Sequence, residues 1–251
     1  MKKVLAFDVD DTLAVTKSPI DDRMAESLIK IAKKFQICII SGAKFEQFLN
    51  QIINRLNTEE ELLTQFHLMP TCGTQYFVYS LFKKGWQKIY SQDLSLAQRK
   101  KIILELEKAA KALNYWPEKT YGDIIEDRGS QVTYSALGQN APAELKYQYD
   151  PDGSKRYEIK KILDQKLEQL EVRIGGTTSI DVTFLGIDKA FGMKKLIENL
   201  KIKKEEILFF GDKLQPGGND YPVKAMKIDC IEVTNWQETV NILETINLLT
   251  T

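Results

Sequence analysis

The chain has 251 residues, enough for one large domain or two modest ones, and 43% of them are hydrophobic, so extended cores can form. Its 35 basic and 35 acidic residues leave no net charge. This excludes the electrostatic footprint of a general nucleic-acid or membrane-surface binder and leaves small molecules as the expected partners.

Val4-Leu5-Ala6-Phe7 reads as a buried parallel strand, and the acidic run Asp8-Val9-Asp10-Asp11-Thr12 begins where that strand ends. Pro19-Ile20-Asp21-Asp22 opens a helix whose Met24, Leu28, Ile31 and Phe35 recur at helical spacing. The apolar segment 36–40 is a second strand ending at Ser41-Gly42, and a helix is expected over 45–56. Segments 59–65 and 67–70 continue this β-α-β-α pattern, the signature of a parallel sheet covered by helices. Residues 75–82 and 86–90 read as two strands joined by the turn Lys83-Lys84-Gly85.

The pattern then changes. Ser95 and Gln98 form a capping box for a helix striped by Ile102, Ile103, Leu106, Ala110 and Leu113. Strands are expected at 122–126 and 131–137, a polar turn-rich stretch over 138–155, and a second amphipathic helix carrying Ile159, Ile162, Leu163, Leu167 and Leu170. Strands at 172–174 and 179–184 close this block, which reads as an inserted α+β domain over 85–185. The parallel pattern resumes with a helix over 189–200, the strand Ile207-Leu208-Phe209-Phe210 and a short strand at 230–233. The expectation is an α/β protein with a Rossmann-like core formed by 1–84 and 186–251.

Side chains alternate along a strand, so Asp8 and Asp10 leave one face, at the end of the sheet where α/β proteins bind ligands. Gly211-Asp212 ends a buried strand in the same way, with Asn219-Asp220 beyond the Pro216-Gly217-Gly218 turn. Were the two strands neighbours, Asp8, Asp10, Asp212 and Asp220 would converge, and their repulsion would call for a hard cation with oxygen ligands, for which Mg²⁺ is the economical answer. The blander alternatives are a solvated acidic turn and an Asp220 that merely caps a helix. Lys189 falls in the first turn of a helix behind its N-cap Asp188, where the macrodipole disfavours a cation, so either an anion lies nearby or the lysine is simply solvated. Ser41 and Gly42 offer a hydroxyl and backbone N–H groups to a phosphate, though Ser-Gly is also ordinary turn chemistry.

Taken in order, Asp8-Val9-Asp10-Asp11-Thr12, Ser41, Lys189 and Gly211-Asp212 with Asn219-Asp220 resemble the four-part pattern of the haloacid dehalogenase (HAD) superfamily of phosphoryl-transfer enzymes. The insertion lies where that superfamily places its larger α+β cap. Within it, the runs 211–220, 174–182 before Asp188-Lys189, and 125–128 leading to Leu137-Gly138 resemble the eukaryotic-type phosphomannomutases along nearly the whole chain. That resemblance implies a cap that confers substrate specificity, with Arg128, Lys146, Ser179 and Asp181 binding a sugar phosphate along with Ser41, Gly42 and Asn219. It departs from the family at Gln139, Lys17 and Lys146, where Arg is the family pattern, and at Asp11, where Gly is usual.

The implied mechanism is in-line attack by Asp8 on phosphorus to give an aspartyl phosphate, with Asp10 as acid and base and Lys189 offsetting charge. Asp8, Asp10, Asp212 and Asp220 are the expected metal residues, and closure of the cap would exclude water. Guanidinium forks grip phosphate better than Gln or Lys, so the departures favour a Mg²⁺-dependent phosphatase acting on a small sugar phosphate. The alternatives are a phosphohexomutase interconverting hexose 1- and 6-phosphates and a non-catalytic binding protein. This reading allows a homodimer without requiring one. Cys38, Cys72 and Cys230 are odd in number and far apart, with no disulfide framework and no metal-ligand spacing, which suits a reduced cytoplasm. The apolar stretch behind Met1-Lys2-Lys3 is too short for the core of a secretion signal, and no later run approaches the roughly 18 apolar residues of a membrane span.

Overall fold

The computed structural model describes residues 1–250. In chain order it contains β1 (Val4–Phe7), α1 (Asp22–Ala32), β2 (Gln36–Ile40), α2 (Phe45–Gln51), α3 (Glu60–Leu63), β3 (Phe66–Met69), β4 (Gln75–Ser80) and β5 (Gly85–Ser91). Next come α4 (Leu96–Ala112), β6 (Ile125–Asp127), β7 (Val132–Ser135), α5 (Ala143–Tyr149), α6 (Ser154–Lys166), β8 (Leu170–Gly175) and β9 (Ser179–Phe184). The chain ends with α7 (Lys189–Leu200), β10 (Ile207–Gly211), α8 (Tyr221–Ala225), β11 (Asp229–Glu232) and α9 (Trp236–Leu249). Among the described residues no helix is long and apolar enough to cross a membrane.

Two compact units emerge, one from Met1–Ser91 with Asp188–Thr251 and the other from Gln92–Ile187. The first is built on a seven-stranded sheet ordered β11-β10-β1-β2-β3-β4-β5. Its five strands from β11 to β3 are parallel, and β4 and β5 add an antiparallel edge. The expected hairpin at 75–90 therefore forms, but its second strand belongs to this sheet. The division consequently falls after Ser91 and not after Lys84, because β5 hydrogen-bonds along its length to β4.

Apolar side chains fill both faces of this sheet. Leu5, Phe7, Ile37, Ile39 and Leu68 pack against α1, α2 and α9 on one side. Val4, Ala6, Cys38, Ile40 and Phe209 pack against Met193 and Leu196 of α7 on the other. Continuous burial on both faces is why these strands are unbroken hydrophobic runs instead of alternating ones. Helix α7 approaches the sheet closely at Gly192, where any side chain would collide with Ile40 and the Cys72 carbonyl. That close seat fixes the N-terminal end of α7, and with it Lys189.

In the second unit a four-stranded antiparallel sheet, ordered β6-β7-β9-β8, has one face covered by α4 and α6. Val132, Tyr134, Val172, Ile180 and Val182 meet Ile102, Leu106, Ile159 and Leu163 there. The stretch over 138–155 holds one short helix, α5, which its turn-forming residues hid. Arg156 braces the unit: its Nε donates to Asp150 Oδ2 at 2.7 Å and its Nη1 to the Gly176 carbonyl at 2.6 Å.

Candidate active site

Register places the acidic loops together. Phe7 pairs with Phe210 on one side and with Ile39 on the other, so Asp8, Asp212 and Ser41 follow the ends of three adjacent parallel strands. Asp8 continues the ladder by one step, its N–H donating to the Phe210 carbonyl at 3.0 Å. Asp220 is brought back by its own loop: its N–H donates to the Lys213 carbonyl and its Oδ2 accepts from the Lys213 N–H, both at 3.2 Å. It occupies the N-cap position of the short helix α8, but its side chain makes no capping hydrogen bond there, its oxygens accepting instead from Lys189 Nζ and the Lys213 N–H.

Lys189 is buried between two carboxylates, with Nζ 2.6 Å from Asp8 Oδ1 and 2.6 Å from Asp220 Oδ1. This accounts for a cation in the first turn of α7 despite the macrodipole: two buried anions outweigh it. Its N-cap is Asp188, whose Oδ1 accepts from the Phe191 N–H at 2.9 Å. Burial pulls the Lys189 pKa down, but Asp220 and Asp8 outweigh that and carry it above its ordinary range. Burial also lifts the Asp8 carboxyl to about 8, opposed by Lys189 and reinforced by Asp220 and Asp212.

Among the described residues, Asp8, Asp212 and Asp220 each bring a carboxylate oxygen within 4.8 Å of the others. Asp212 Oδ2 is paired with Lys213 Nζ at 2.8 Å, while its buried Oδ1 has no hydrogen-bond partner. An orphaned anionic oxygen facing two further carboxylates is a donor set that fits a hard divalent cation. A cation there would also draw Asp8 back toward the ionised form that nucleophilic attack requires. Lys213 is the residue at this cluster that sequence reasoning passed over, because a lysine in a loop carries no pattern.

Asp10 is not part of that carboxylate group, a correction to the four-aspartate expectation. Beyond Phe7 the chain leaves strand geometry, Leu13 and Ala14 both donate to the Val9 carbonyl, and strand alternation no longer aims Asp10. Its Oδ1 instead accepts the Lys17 N–H at 2.7 Å. Asp11 takes φ 59°, a left-handed conformation that Gly adopts freely and Asp tolerates, which explains how Asp can replace Gly there. Ser41 is buried, and its Oγ accepts from the Ala43 N–H at 3.2 Å. Gly42 is half-buried beside it, and Asn219 is exposed.

Within the second unit, Ser179 and Asp181 lie on β9, and Asp181 Oδ1 accepts from Thr133 Oγ1 at 2.7 Å. Arg128 sends Nε and Nη2 to Glu126 Oε2 at 3.2 and 2.6 Å. Lys146 differs from expectation: it is 2% exposed, with Nζ donating to the Gln139 carbonyl at 2.9 Å. A buried ammonium seeks backbone oxygens to replace water, so here it holds the 139–146 segment together.

Comparison with known proteins bears on family and fold. A probable phosphomannomutase of Caenorhabditis elegans is 27% identical over 236 residues, 89% of this chain and 87% of that protein. The phosphomannomutase of Saccharomyces cerevisiae is 26% identical over 237 residues, 88% and 84% of the two chains. A haloacid dehalogenase-like hydrolase from Bacteroides thetaiotaomicron matches the fold with a TM-score of 0.66 at 18% identity, over 98% of this chain and 100% of that one. IMP-bound Plasmodium falciparum IMP-nucleotidase does so with a TM-score of 0.70 at 19% identity, over 100% of this chain and 68% of that one. Residues 24–249 match the family model described as eukaryotic phosphomannomutase, and the chain belongs to that family, on a HAD-like fold.

Proposed function

We propose that this protein is a Mg²⁺-dependent phosphohexomutase that moves a phosphoryl group between hydroxyls of one hexose. The observation that carries the phosphoryl-transfer half is Lys189 held between Asp8 and Asp220 beside the free oxygen of Asp212. Asp8 attacks phosphorus in line and becomes an aspartyl phosphate. Asp10, held by the Lys17 N–H, protonates the departing sugar oxygen and later takes the proton from the accepting hydroxyl. Lys189 and the Ser41 hydroxyl offset charge on the transferring group. Asp8, Asp212 and Asp220 would hold the cation, which supplies Lewis-acid stabilisation of the phosphoryl oxygens.

The mutase half is supported by relatives named as phosphomannomutases along nearly the full chain. This reverses the order favoured by composition of the cap alone, where Gln139 and Lys146 argue for water as the acceptor. That hydrolytic reading keeps one specific observation in its favour: Lys146 is buried against the Gln139 carbonyl, so neither position offers a guanidinium. Product identity separates the two. Mannose 1-phosphate incubated with the protein, Mg²⁺ and a trace of hexose bisphosphate is expected to give hexose 6-phosphate in excess of inorganic phosphate. Predominant inorganic phosphate would overturn the mutase reading.

A further inference from the structure

The chain leaves β3 through a turn of uncommon backbone. Thr71, Cys72 and Gly73 take φ of 51°, 55° and 84°, left-handed residues in succession of which only the last is glycine. At a β-branched residue such as Thr71 that conformation is an outlier, and it persists only where the surroundings over-determine it. Gly or Asn at 71 and 72 would connect β3 to the antiparallel β4 without this strain. The turn therefore holds something besides the connection.

What it holds is the Ser41 loop. A helically wound residue, of either hand, leaves the N–H groups on its two sides pointing the same way. The N–H groups of Thr71 and Cys72 accordingly point together, donating to the Ala43 and Ser41 carbonyls at 3.0 and 2.9 Å. The Ser41 N–H donates to the Met69 carbonyl at 3.4 Å, and the Ala43 N–H donates to Ser41 Oγ at 3.2 Å. Helix α7 stands behind the turn: a Cβ on Gly73 would collide with the Gly192 Cα, so the turn has no room to retreat.

Two side chains fix the turn itself. Thr74 is fully buried, as is Thr71, and its Oγ1 donates to the Thr71 carbonyl at 2.9 Å and lies 2.6 Å from Thr71 Oγ1. The Tyr90 hydroxyl, on β5, donates to the Gly73 carbonyl at 2.7 Å.

We propose that Thr74, backed by Tyr90, is a positioning residue for phosphoryl transfer: it locks the left-handed turn against α7, and the N–H groups of the turn aim the Ser41 hydroxyl. The inference rests on the phosphoryl-transfer reading above, in which Ser41 offsets charge on the transferring group. A shift of the loop by about 1 Å would spoil that contact, and misplacement on this scale lowers rates by about a hundredfold. The competing role is structural, with Thr74 closing the connection from β3 to β4 and nothing more.

The test is a double-mutant cycle on kcat in the full chain, with mannose 1-phosphate, saturating Mg²⁺ and a trace of hexose bisphosphate, counting hexose 6-phosphate and inorganic phosphate together. Thr74→Val, which keeps the shape and loses the hydroxyl, is expected to lower kcat by about ten- to a hundredfold, and Thr74→Ser to stay within about threefold of the parent. In a chain already carrying Ser41→Ala, Thr74→Val is expected to change kcat by less than about threefold, since the hydroxyl it would misplace is gone. A structural role would lower the urea midpoint and leave the two losses in kcat to multiply. Multiplying losses, an unchanged kcat in Thr74→Val, or a Thr74→Ser chain as slow as Thr74→Val would overturn the inference. Should Thr74→Val fail to fold, Tyr90→Phe takes its place in the cycle with the same expectation of non-additivity. Absence of both products with the parent chain would overturn the phosphoryl-transfer reading, and this inference with it.

Discussion

Lys189 Nζ lies 2.6 Å from Asp8 Oδ1, and both side chains are almost wholly withdrawn from solvent. The pair joins the first turn of α7 to the end of β1 and sets the charge state of the residue proposed to attack phosphorus. Removing one member of a buried ion pair leaves the other uncompensated. Lys189→Met should therefore destabilise the protein by about 3–5 kcal/mol in urea unfolding at pH 7. A loss below about 1 kcal/mol would mean the carboxylates are neutralised some other way.

Asp8→Asn is expected to keep the fold, because the amide is isosteric and Asp220 Oδ1, also 2.6 Å from Lys189 Nζ, still compensates the buried ammonium. Turnover of a hexose phosphate should fall by at least about a thousandfold, since an amide cannot form the acyl phosphate. Circular dichroism and a steady-state assay read the two effects separately.

Dialysis against a chelator should abolish turnover and Mg²⁺ should restore it. With Asp212→Asn, whose parent oxygen is the orphaned one, the Mg²⁺ concentration for half-maximal rate should rise by about tenfold or more. An unchanged Mg²⁺ dependence would remove Asp212 from the cation site.

His67, the single histidine, is buried on β3 with Nδ1 2.7 Å from the Tyr76 hydroxyl, and burial lowers its pKa from 6.5 to about 4. Between those values the unfolded ring is protonated and the folded ring is not. The unfolded state then binds more protons, so stability is full above pH 6.5 and falls as the pH drops toward 4, by about 3 kcal/mol in all. Urea midpoints taken from pH 7 to pH 4 should show this loss, and His67→Gln should flatten the part of the profile due to this ring.

Arg156→Ala should loosen the second unit. The Asp150 carboxylate is fully buried, and removal of its guanidinium partner should cost that unit about 3–5 kcal/mol. Hydrogen exchange should accelerate most in the Gly176 turn and the flanking strands β8 and β9, with little change in β1 or β10.

Much was legible from sequence because local chemistry is written locally. The Val4–Phe7 and Ile207–Phe210 runs declare strands buried on both faces, the Ser95–Gln98 box opens α4, and Asp188 caps α7 where expected. The order of the acidic motifs, Ser41 and Lys189 carried the family resemblance. The C-terminal helix α9 lacked a reading, although its buried Val240 and Leu243 belong to the core beside α1.

What the sequence by itself determined was the α/β class, the inserted α+β block and the residue types able to run phosphoryl transfer. Only the tertiary structure decided which of those residues meet. Parallel neighbours are set by crossover connections and not by adjacency in the chain, so the register of Phe7 with Phe210 was needed to bring Asp8 to Asp212. The loop closed by Lys213 and Asp220 was needed to bring the third carboxylate, and the bend after Phe7 turned Asp10 away to Lys17. Burial decided likewise between two lysine fates: Lys189 faces carboxylates, while Lys146 faces a backbone carbonyl. A charge inside a fold takes the nearest oxygen that desolvation leaves it, and that distance is a property of packing, which no spacing along the chain encodes.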